Sequence, residues 1–297
     1  MKTFAFLTHL DSIKELKRIW LLTRYLPDGI AAKFLKRMPE SVVLKLDSGC
    51  FAIVLNLLPQ EIAGMNDEQL VAKIQTAAQI ARKLGCRLIG LGGLLAERRY
   101  KSARKFDIGI ANNGFLTAWS MVEAIYRVAA TKKLDLKKLS AVVIGADNPA
   151  GRLCARKLEE YCARVDCDTD PGQADIVVIA SRLKNEEVDL EKLKPQAIVC
   201  GFFISQSQNY RKCSRSDLAI VDVGLIKLPF DFKFSCGRMS PPGVVCADFA
   251  ETMLLAREDK IVAATLNSNT NIDLLEEAAD MACRNHFEIW VPQAPIL

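Results

Sequence analysis

The chain has 297 residues and a mass of 32.9 kDa, which is enough for two domains of ordinary size. Half of the residues are apolar and a quarter are charged, so the composition excludes a disordered, fibrous or low-complexity protein. The net charge of +5 suits an acidic ligand or partner, but it is too small to indicate a protein that binds nucleic acid.

No apolar run approaches the ~20 residues of a membrane span, because Lys45, Asp47 and Asn56 interrupt the most apolar stretch. The first residues, MKTFAFLTHLDSIKE, turn polar too early for a signal peptide. We therefore expect a soluble, cytoplasmic protein without an integral membrane segment. The ten cysteines form no Cys-x-x-Cys pair and the chain has only two histidines, so no metal site is expected.

The first third of the chain alternates between predicted strands and helices. FAFLTHL predicts a buried strand, and an amphipathic helix follows for which Asp11 is the expected cap. VVLKL and CFAIVLNLL predict two more strands. Asn66 opens a long helix that is expected to stop at Gly85, and RLIGLGG predicts the next strand.

The remainder of the chain continues this alternation. A helix long enough to link two domains is predicted from Asn113 to about Leu134. Beyond it, LSAVVIGADNPAGRLCARKLEEYC predicts a strand, a turn and a helix. DIVVIAS, AIVCGFF and LAIVDVG are continuous apolar strands, which are typical of a parallel sheet that is covered on both faces. Two helices, in DFAETMLLARE and NIDLLEEAADMACRNH, precede a short strand, FEIWV.

The stretch VVIGADNPAG has the context of a dinucleotide-binding turn, in which a strand ends at a glycine and the next helix points its N-terminus at a pyrophosphate. Asn148 replaces the middle glycine of the usual triplet, and Pro149 follows it. Asn tolerates the left-handed conformation and Pro is acceptable in a first helical turn, so the turn is chemically plausible. A purely structural strand-turn-helix is the alternative. The candidate cofactor-binding residues of this turn are Gly145, Ala146, Asn148, Ala150 and Gly151.

Nucleotide discrimination is expected roughly 20 residues further on, where an acid holds the ribose hydroxyls or an Arg accepts a 2′-phosphate. The segment ARVDCDTD offers both, with Arg164 beside Asp166 and Asp168. Residues 152–174 are too few for a full helix-strand-helix, so this half of the fold is expected to be abbreviated. Ser181 and Arg182 follow the next strand and are further cofactor candidates, although an Arg at a strand end is commonly solvated.

Several segments, in the same order, resemble the long-chain fatty acyl-[acyl-carrier-protein] reductases. They are FLTHLDSI, LGCRLIGLGG, LTAWSMVEAI, LDLKKLSAVVIGA, QADIVVIAS and FAETMLL. The resemblance spans nearly the whole chain and implies an α/β protein of two domains, with C-terminal helices packing back. Residues 1–115 would form a mixed α/β substrate domain on which residues 262–297 pack, and residues 116–261 a Rossmann-like dinucleotide-binding domain with a parallel sheet. It also implies an oxidoreductase that makes fatty aldehydes with NADPH or NADH.

In the reductase family a cysteine thiolate takes the acyl group before a hydride reduces the thioester. The family's nucleophile stands immediately before the FAE segment, where this chain has Asp248. Cys246 is a candidate nucleophile, with a buried thiol as the alternative, and Asp248 is a candidate catalytic group or a plain N-cap. His9 falls in a matching segment and is either a catalytic candidate or a structural histidine.

The resemblance also implies substrate-binding residues. Gly92 and Gly93 match the family's strand-end glycines, where missing side chains leave room for a ligand, and a bare turn is the alternative. Asn113 and Thr117 lie where the chain enters the long helix, although an Asn-Asn-Gly turn that caps the helix explains the asparagine as well.

A basic loop is a candidate docking patch for an acyl carrier protein, whose acidic surface would be oriented by charge, and a solvated loop is the alternative. Its basic residues are Arg98, Arg99, Lys101, Arg104 and Lys105. Acyl-CoA is the other expected substrate form, and an oligomer is compatible with the sequence.

Two further functions stay open. One is a hydroxy acid dehydrogenase similar to those acting on shikimate, which needs no cysteine. The other is a non-catalytic Rossmann-like protein that binds a nucleotide or a lipid.

Overall fold

The computed structural model describes residues 3–20, 24–35, 37–47, 49–98, 100, 106–112, 114–185, 187–202, 204–232, 241–260 and 271–291. The chain forms two compact units. The first comprises Met1–Asn112 and Thr252–Asn267, and the second comprises Asn113–Glu251 and Ser268–Leu297. The chain therefore passes from one unit to the other close to the expected boundary at residue 115. The residues from Ser268 onward group with the second unit, whereas the resemblance implies that residues 262–297 pack on the first.

The first unit contains a five-stranded sheet. Its strands are β1 (Phe4–His9), β2 (Ser41–Asp47), β3 (Cys50–Leu55), β4 (Leu88–Leu91) and β5 (Gly109–Ala111). They lie in the order β2-β3-β1-β4-β5, and only β2 runs antiparallel to its neighbour. The central strand β1 is almost wholly buried, as its continuous apolar sequence requires.

Five helices accompany this sheet, and α4 packs against β1 and β4. They are α1 (Ile13–Ile19), α2 (Asp28–Leu35), α3 (Pro59–Gly64), α4 (Asp67–Lys83) and α5 (Leu94–Glu97). As predicted, Asn66 caps α4, since its side chain accepts the N–H of Gln69 at 3.0 Å, and Gly85 follows the helix with a φ of +79°. The predicted Asp11 cap is wrong. Ser12 takes the capping position of α1, and the backbone N–H of Asp11 donates to the Glu15 side chain.

A later part of the chain completes the first unit. The buried side chain of Thr252 lies against Gly90 in β4, where a Cβ on the glycine would come within 1.8 Å of the threonine Oγ1. No side chain larger than hydrogen fits at residue 90 while Thr252 keeps this position.

The second unit contains a five-stranded, wholly parallel sheet. Its strands are β6 (Ser140–Ile144), β7 (Arg164–Cys167), β8 (Ile176–Ile179), β9 (Ile198–Gly201) and β10 (Ala219–Asp222). They lie in the order β10-β9-β8-β6-β7, so the chain passes from β6 to β7 on one side and then to β8 on the other. A topological switch point therefore lies between β6 and β8. The predicted Rossmann-like α/β fold is confirmed.

The described helices that lie wholly in the second unit are α6 (Phe115–Thr131), α7 (Pro149–Glu159), α8 (Gln208–Lys212) and α10 (Ile272–Arg284). Helix α9 (Ala247–Arg257) begins in this unit and belongs to the first unit from Thr252 onward. Among the described helices of the second unit, α7 and α10 pack on α6. Helix α10 packs on α6 and α7 through an apolar stripe, and this contact is why the C-terminal residues belong to the second unit. The chain runs from β7 to β8 without an intervening helix, which confirms the expected abbreviation.

A small antiparallel sheet of three strands completes the described part of this unit. The strands are β11 (Leu225–Lys227), β12 (Val244–Cys246) and β13 (Glu288–Ile289), in the order β12-β11-β13. Across the described ranges of the chain, no helix is long and apolar enough to cross a membrane.

Candidate functional site

The turn after β6 brings α7 very close to the sheet. Gly145 has a φ of +88°, a conformation that favours glycine. A Cβ on Gly151 would lie 2.3 Å from the carbonyl oxygen of Gly145 and 3.0 Å from the Cβ of Ala180. Such distances exclude a side chain, so the two glycines have the structural positions that the dinucleotide-binding motif gives them.

Asn148 replaces the missing central glycine by becoming a helix cap. Its Oδ1 accepts the N–H of Gly151 at 2.8 Å, and its Nδ2 donates to the carbonyl oxygen of Ala180 at 2.7 Å. The residue is only 3% exposed and has a φ of −85°, so the backbone is not left-handed. The Asn148 side chain is thus held by the turn and by the end of β8, and Pro149 begins α7 beside it.

Asp168 follows β7 directly and ties that strand to the glycine turn. Its Oδ1 accepts the N–H of Gly145 at 2.7 Å and the Nζ of Lys184 at 2.9 Å. Burial alone would raise the pKa of Asp168, but hydrogen bonds from Gly145, Lys184 and Ala146 hold it below its ordinary value. The bond to Asp168 in turn raises the pKa of Lys184. This carboxylate is therefore charged near neutral pH.

The strand bounds place Arg164 and Asp168, two of the candidates for nucleotide discrimination, at opposite ends of β7. Arg164 begins β7 and pairs with Asp166 within the strand, at 2.7 Å between Nε and Oδ2. Ligands of parallel α/β sheets bind at the carboxyl ends of the strands, and Arg164 lies at the other end, roughly 10 Å away at ~3.3 Å per residue. Asp168 stands beside the turn instead. The signal for it was its place at the strand end, 23 residues after Gly145.

Ser181 and Arg182 follow β8 on the other side of the turn. Ser181 is buried and closes on Gly145, since a Cβ on that glycine would lie 3.1 Å from the serine Cβ. Arg182 places its guanidinium over the ring of Phe202, 5.8 Å from the ring centroid. The serine therefore borders the turn, whereas the arginine has a packing contact of its own.

A pocket of about 420 Å³ opens at the carboxyl ends of these strands. Its walls come from the end of β6, from the segment after β7 and from the segment after β8. The lining residues are Ile144, Asp168, Thr169, Asp170, Pro171, Gly172, Lys184, Glu187, Val188, Asp189, Lys192 and Leu193. The pocket borders the switch point, where ligands of such sheets bind, and the sequence alone did not suggest Lys184 or this pocket.

The catalytic candidates of the second unit lie at the start of α9. Cys246 ends β12 and is 7% exposed. Asp248 lies within the first turn of α9, not at the capping position, and its Oδ1 accepts the hydroxyl of Thr117 at 2.9 Å. Glu251, which the sequence analysis did not select, accepts the N–H of Leu116 through Oε2 at 3.0 Å. The two carboxylates thus meet the N-terminus of α6, where its dipole favours negative charge.

The candidates of the first unit cluster around His9. Its Nε2 accepts the N–H of Leu94 at 3.1 Å, and its Nδ1 lies 3.0 Å from the carbonyl oxygen of Leu10, so the ring is neutral with the proton on Nδ1. Gly93 makes room for this ring and Gly92 for Phe6, because their Cβ atoms would lie 2.6 Å and 2.2 Å from those side chains. His9 is buried and belongs to a different unit from Cys246 and Asp248.

Several expected residues fall outside the described part of the chain. They are Asn113 and four of the five basic loop residues, Arg99, Lys101, Arg104 and Lys105. The fifth, Arg98, donates to the carbonyl oxygen of Met65 at 2.8 Å and lies 3.4 Å from Asp67.

No protein-family model matches the chain, and no curated protein matches it. Among solved structures, it is similar to the bifunctional methylenetetrahydrofolate dehydrogenase/cyclohydrolase from Campylobacter jejuni, with 15% identity over 95% of this chain and 88% of that chain and a TM-score of 0.31. A 5,10-methylenetetrahydrofolate dehydrogenase from the silkworm Bombyx mori is 17% identical over 74% and 79%, with a TM-score of 0.31. L-tryptophan dehydrogenase from Nostoc punctiforme is 15% identical over 74% and 63%, with a TM-score of 0.28. Likenesses at this level carry no argument about activity.

Proposed function

We propose that the chain is a nicotinamide-dependent oxidoreductase whose second unit binds the dinucleotide at the carboxyl ends of β6, β7 and β8. The observation that carries the proposal is Asp168, which holds the N–H of Gly145 beside a pocket of about 420 Å³. A glycine turn, a strand-end acid and a pocket at the switch point are the three parts that an adenosine diphosphate moiety requires.

The residues of the turn fit such a ligand, with one difference from the usual motif. Gly151 lets α7 approach the sheet, and Asn148 directs its side chain to the carbonyl oxygen of Ala180 rather than outwards. The N–H of Gly151 is taken by Asn148, so a pyrophosphate here would depend on the positive end of α7 more than on that amide.

We further propose that the substrate is an acyl thioester or an aldehyde, carried by an acyl carrier protein or by coenzyme A. This part rests on the resemblance to the acyl-carrier-protein reductases. A bound reduced nicotinamide supplies a hydride, and a thioester that takes up this hydride and one proton yields an aldehyde and releases a thiol. Cys246, Asp248 and His9 stay the candidate catalytic residues, with Gly92, Gly93, Asn113 and Thr117 as candidates for the substrate.

The test has two parts, both performed on the full chain. Titration of the protein with NADH and with NADPH, followed by nicotinamide fluorescence, should give micromolar dissociation constants for at least one of them. Incubation with palmitoyl-coenzyme A and mass spectrometry of the peptides should then give an acyl adduct on Cys246 that is absent in Cys246→Ser and retained in Cys86→Ser. If neither nicotinamide binds, the oxidoreductase proposal is overturned.

A non-catalytic nucleotide-binding protein is the second candidate function. The observations that favour it are the burial of Cys246 and the engagement of Asp248 by the hydroxyl of Thr117. Binding of NADH or NADPH, with no acyl adduct on Cys246 and no turnover of any aldehyde or hydroxy acid, would support this candidate. Binding without an adduct, but with oxidation of a hydroxy acid, would point to a dehydrogenase that needs no thiol.

A further inference from the structure

The pocket beside the glycine turn bears on the choice between the two nicotinamide dinucleotides, which differ only by a phosphate on the adenosine 2′-oxygen. In dinucleotide-binding folds the residue at the end of the second strand meets the adenosine ribose. In this unit that strand is β7, and the residue is Asp168, which also lines the pocket. The ribose would therefore face a carboxylate.

The carboxylate of Asp168 has capacity for further donors. Two donors reach it, namely the N–H of Gly145 and the ammonium group of Lys184, and both reach Oδ1. An ionised carboxylate offers about four acceptor sites. A ribose hydroxyl can donate to one of the remaining sites, whereas an ionised 2′-phosphate has only acceptor oxygens and carries the same sign of charge.

The lysines of the pocket do not reverse this preference. Lys184 is bound to Asp168 at 2.9 Å, and Lys192 pairs with Asp189 at 3.1 Å. The lining contains four acids, Asp168, Asp170, Glu187 and Asp189, against those two lysines, so its net charge is −2. A phosphate bearing up to two further negative charges would enter a wall that is already negative.

We propose that this pocket takes the adenosine end of a dinucleotide that has no 2′-phosphate, so that the protein binds NADH in preference to NADPH, and that Asp168 sets the preference. The inference rests on the proposed function, because it requires that a dinucleotide binds at this turn. It adds the identity of the cofactor and the residue that selects it.

Isothermal titration calorimetry of the full chain tests the inference without any measurement of activity. NADH should bind at least tenfold more tightly than NADPH, and ADP-ribose at least tenfold more tightly than 2′-phospho-ADP-ribose. Asp168→Asn keeps an acceptor for the N–H of Gly145 and removes the charge, so the NADH preference should shrink to threefold or less. Asp168→Ser should equalise the two affinities or favour NADPH. Circular dichroism melting curves identify any variant that fails to fold.

Asp280→Asn is the charge-matched control, because Asp280 is exposed on α10 and does not line the pocket. Its ratio of NADH to NADPH affinity should stay within twofold of the unchanged protein. Equal affinities, tighter binding of NADPH, or an unchanged ratio in a folded Asp168→Asn protein would overturn the inference and leave the oxidoreductase proposal standing. If neither dinucleotide binds, the proposed function fails and the inference fails with it.

Discussion

Gly151 is the residue at which the turn tolerates least change. A Cβ there would lie 2.3 Å from the carbonyl oxygen of Gly145, which is backbone and cannot rotate away. We expect Gly151→Ala to displace α7, to lower the free energy of unfolding by about 1–3 kcal/mol and to weaken dinucleotide binding. Urea unfolding followed by circular dichroism measures the change in the free energy of unfolding.

Gly64 supplies the matched control for this substitution. It ends α3 and a Cβ would meet no atom within 4 Å. Gly64→Ala should leave the stability unchanged or raise it by up to about 1 kcal/mol, because alanine is the better helix former. Equal urea midpoints for the two variants would contradict the close packing at Gly151.

At the residue scale, the sequence indicates the turn and offers Asp168 together with Asp166 as candidate acids, but it does not rank the two. Gly145 and Gly151 were identifiable because the motif specifies glycine for steric reasons. The end of β7 was not identifiable, since Asp166, Asp168 and Asp170 alternate with other residues and a period of two continues through all three. Only the structure shows that β7 ends at Cys167, so that Asp168 is the carboxylate at the end of the strand.

At the scale of elements, α9 provides the cap of α6. The Oε2 of Glu251 accepts the N–H of Leu116, one of the first-turn amides that lack a partner within their own helix. Because Glu251 is buried, we expect Glu251→Ala to cost about 1–3 kcal/mol of unfolding free energy by leaving this amide unsatisfied. Glu251→Gln keeps an oxygen acceptor and should cost less than half as much. Thermal unfolding of both variants at pH 7 ranks them, and a reversed order would exclude the capping role.

The sequence predicts whether a segment is a helix or a strand more readily than it predicts which other element that segment packs against. The sequence predicted a helix in NIDLLEEAADMACRNH, and the structure has α10 there, with an apolar stripe of buried residues. The stripe does not specify what covers it, because any apolar surface of suitable shape satisfies the same pattern. The resemblance assigned α10 to the first unit, whereas the helix packs on α6 and α7.

For the molecule as a whole, several carboxylates have a lowered pKa, so the free energy of unfolding is expected to decrease as the pH falls into the acid range. The carboxylates whose pKa lies below the ordinary value include Asp28, Asp168, Asp175, Asp189, Glu191 and Asp217. Asp175 illustrates the cause. Burial raises its pKa, but hydrogen bonds from Lys194 and from the N–H and hydroxyl of Ser140 outweigh burial and lower it.

A lowered pKa stabilises the folded protein above the ordinary value of about 3.9, and the stabilisation is lost as the pH falls through the folded-state pKa. We therefore expect the urea midpoint to fall steeply between pH 5 and pH 2. Asp175→Asn should lose about 1–3 kcal/mol at pH 7 and much less once the pH is below the folded-state pKa of Asp175, since the carboxylate is then protonated in both states. A constant difference across this range would show that charge at Asp175 does not matter, and Asp280→Asn controls for the change of net charge.

The packing of Thr252 on Gly90 has a consequence for synthesis on the ribosome. Domains that are continuous in sequence can fold in turn as they emerge, amino-terminal first. Here all five strands of the first unit's sheet, β1 to β5, leave the ribosome long before Thr252 does. Until Thr252 has been synthesised, it cannot cover the sheet at Gly90. The second unit likewise lacks the helix that packs on α6 and α7 until α10 has been synthesised. Nascent chains of this protein therefore expose apolar surface until α10 has been synthesised, and a chain that stops between Thr252 and Asn271 lacks the helix that packs on α6 and α7.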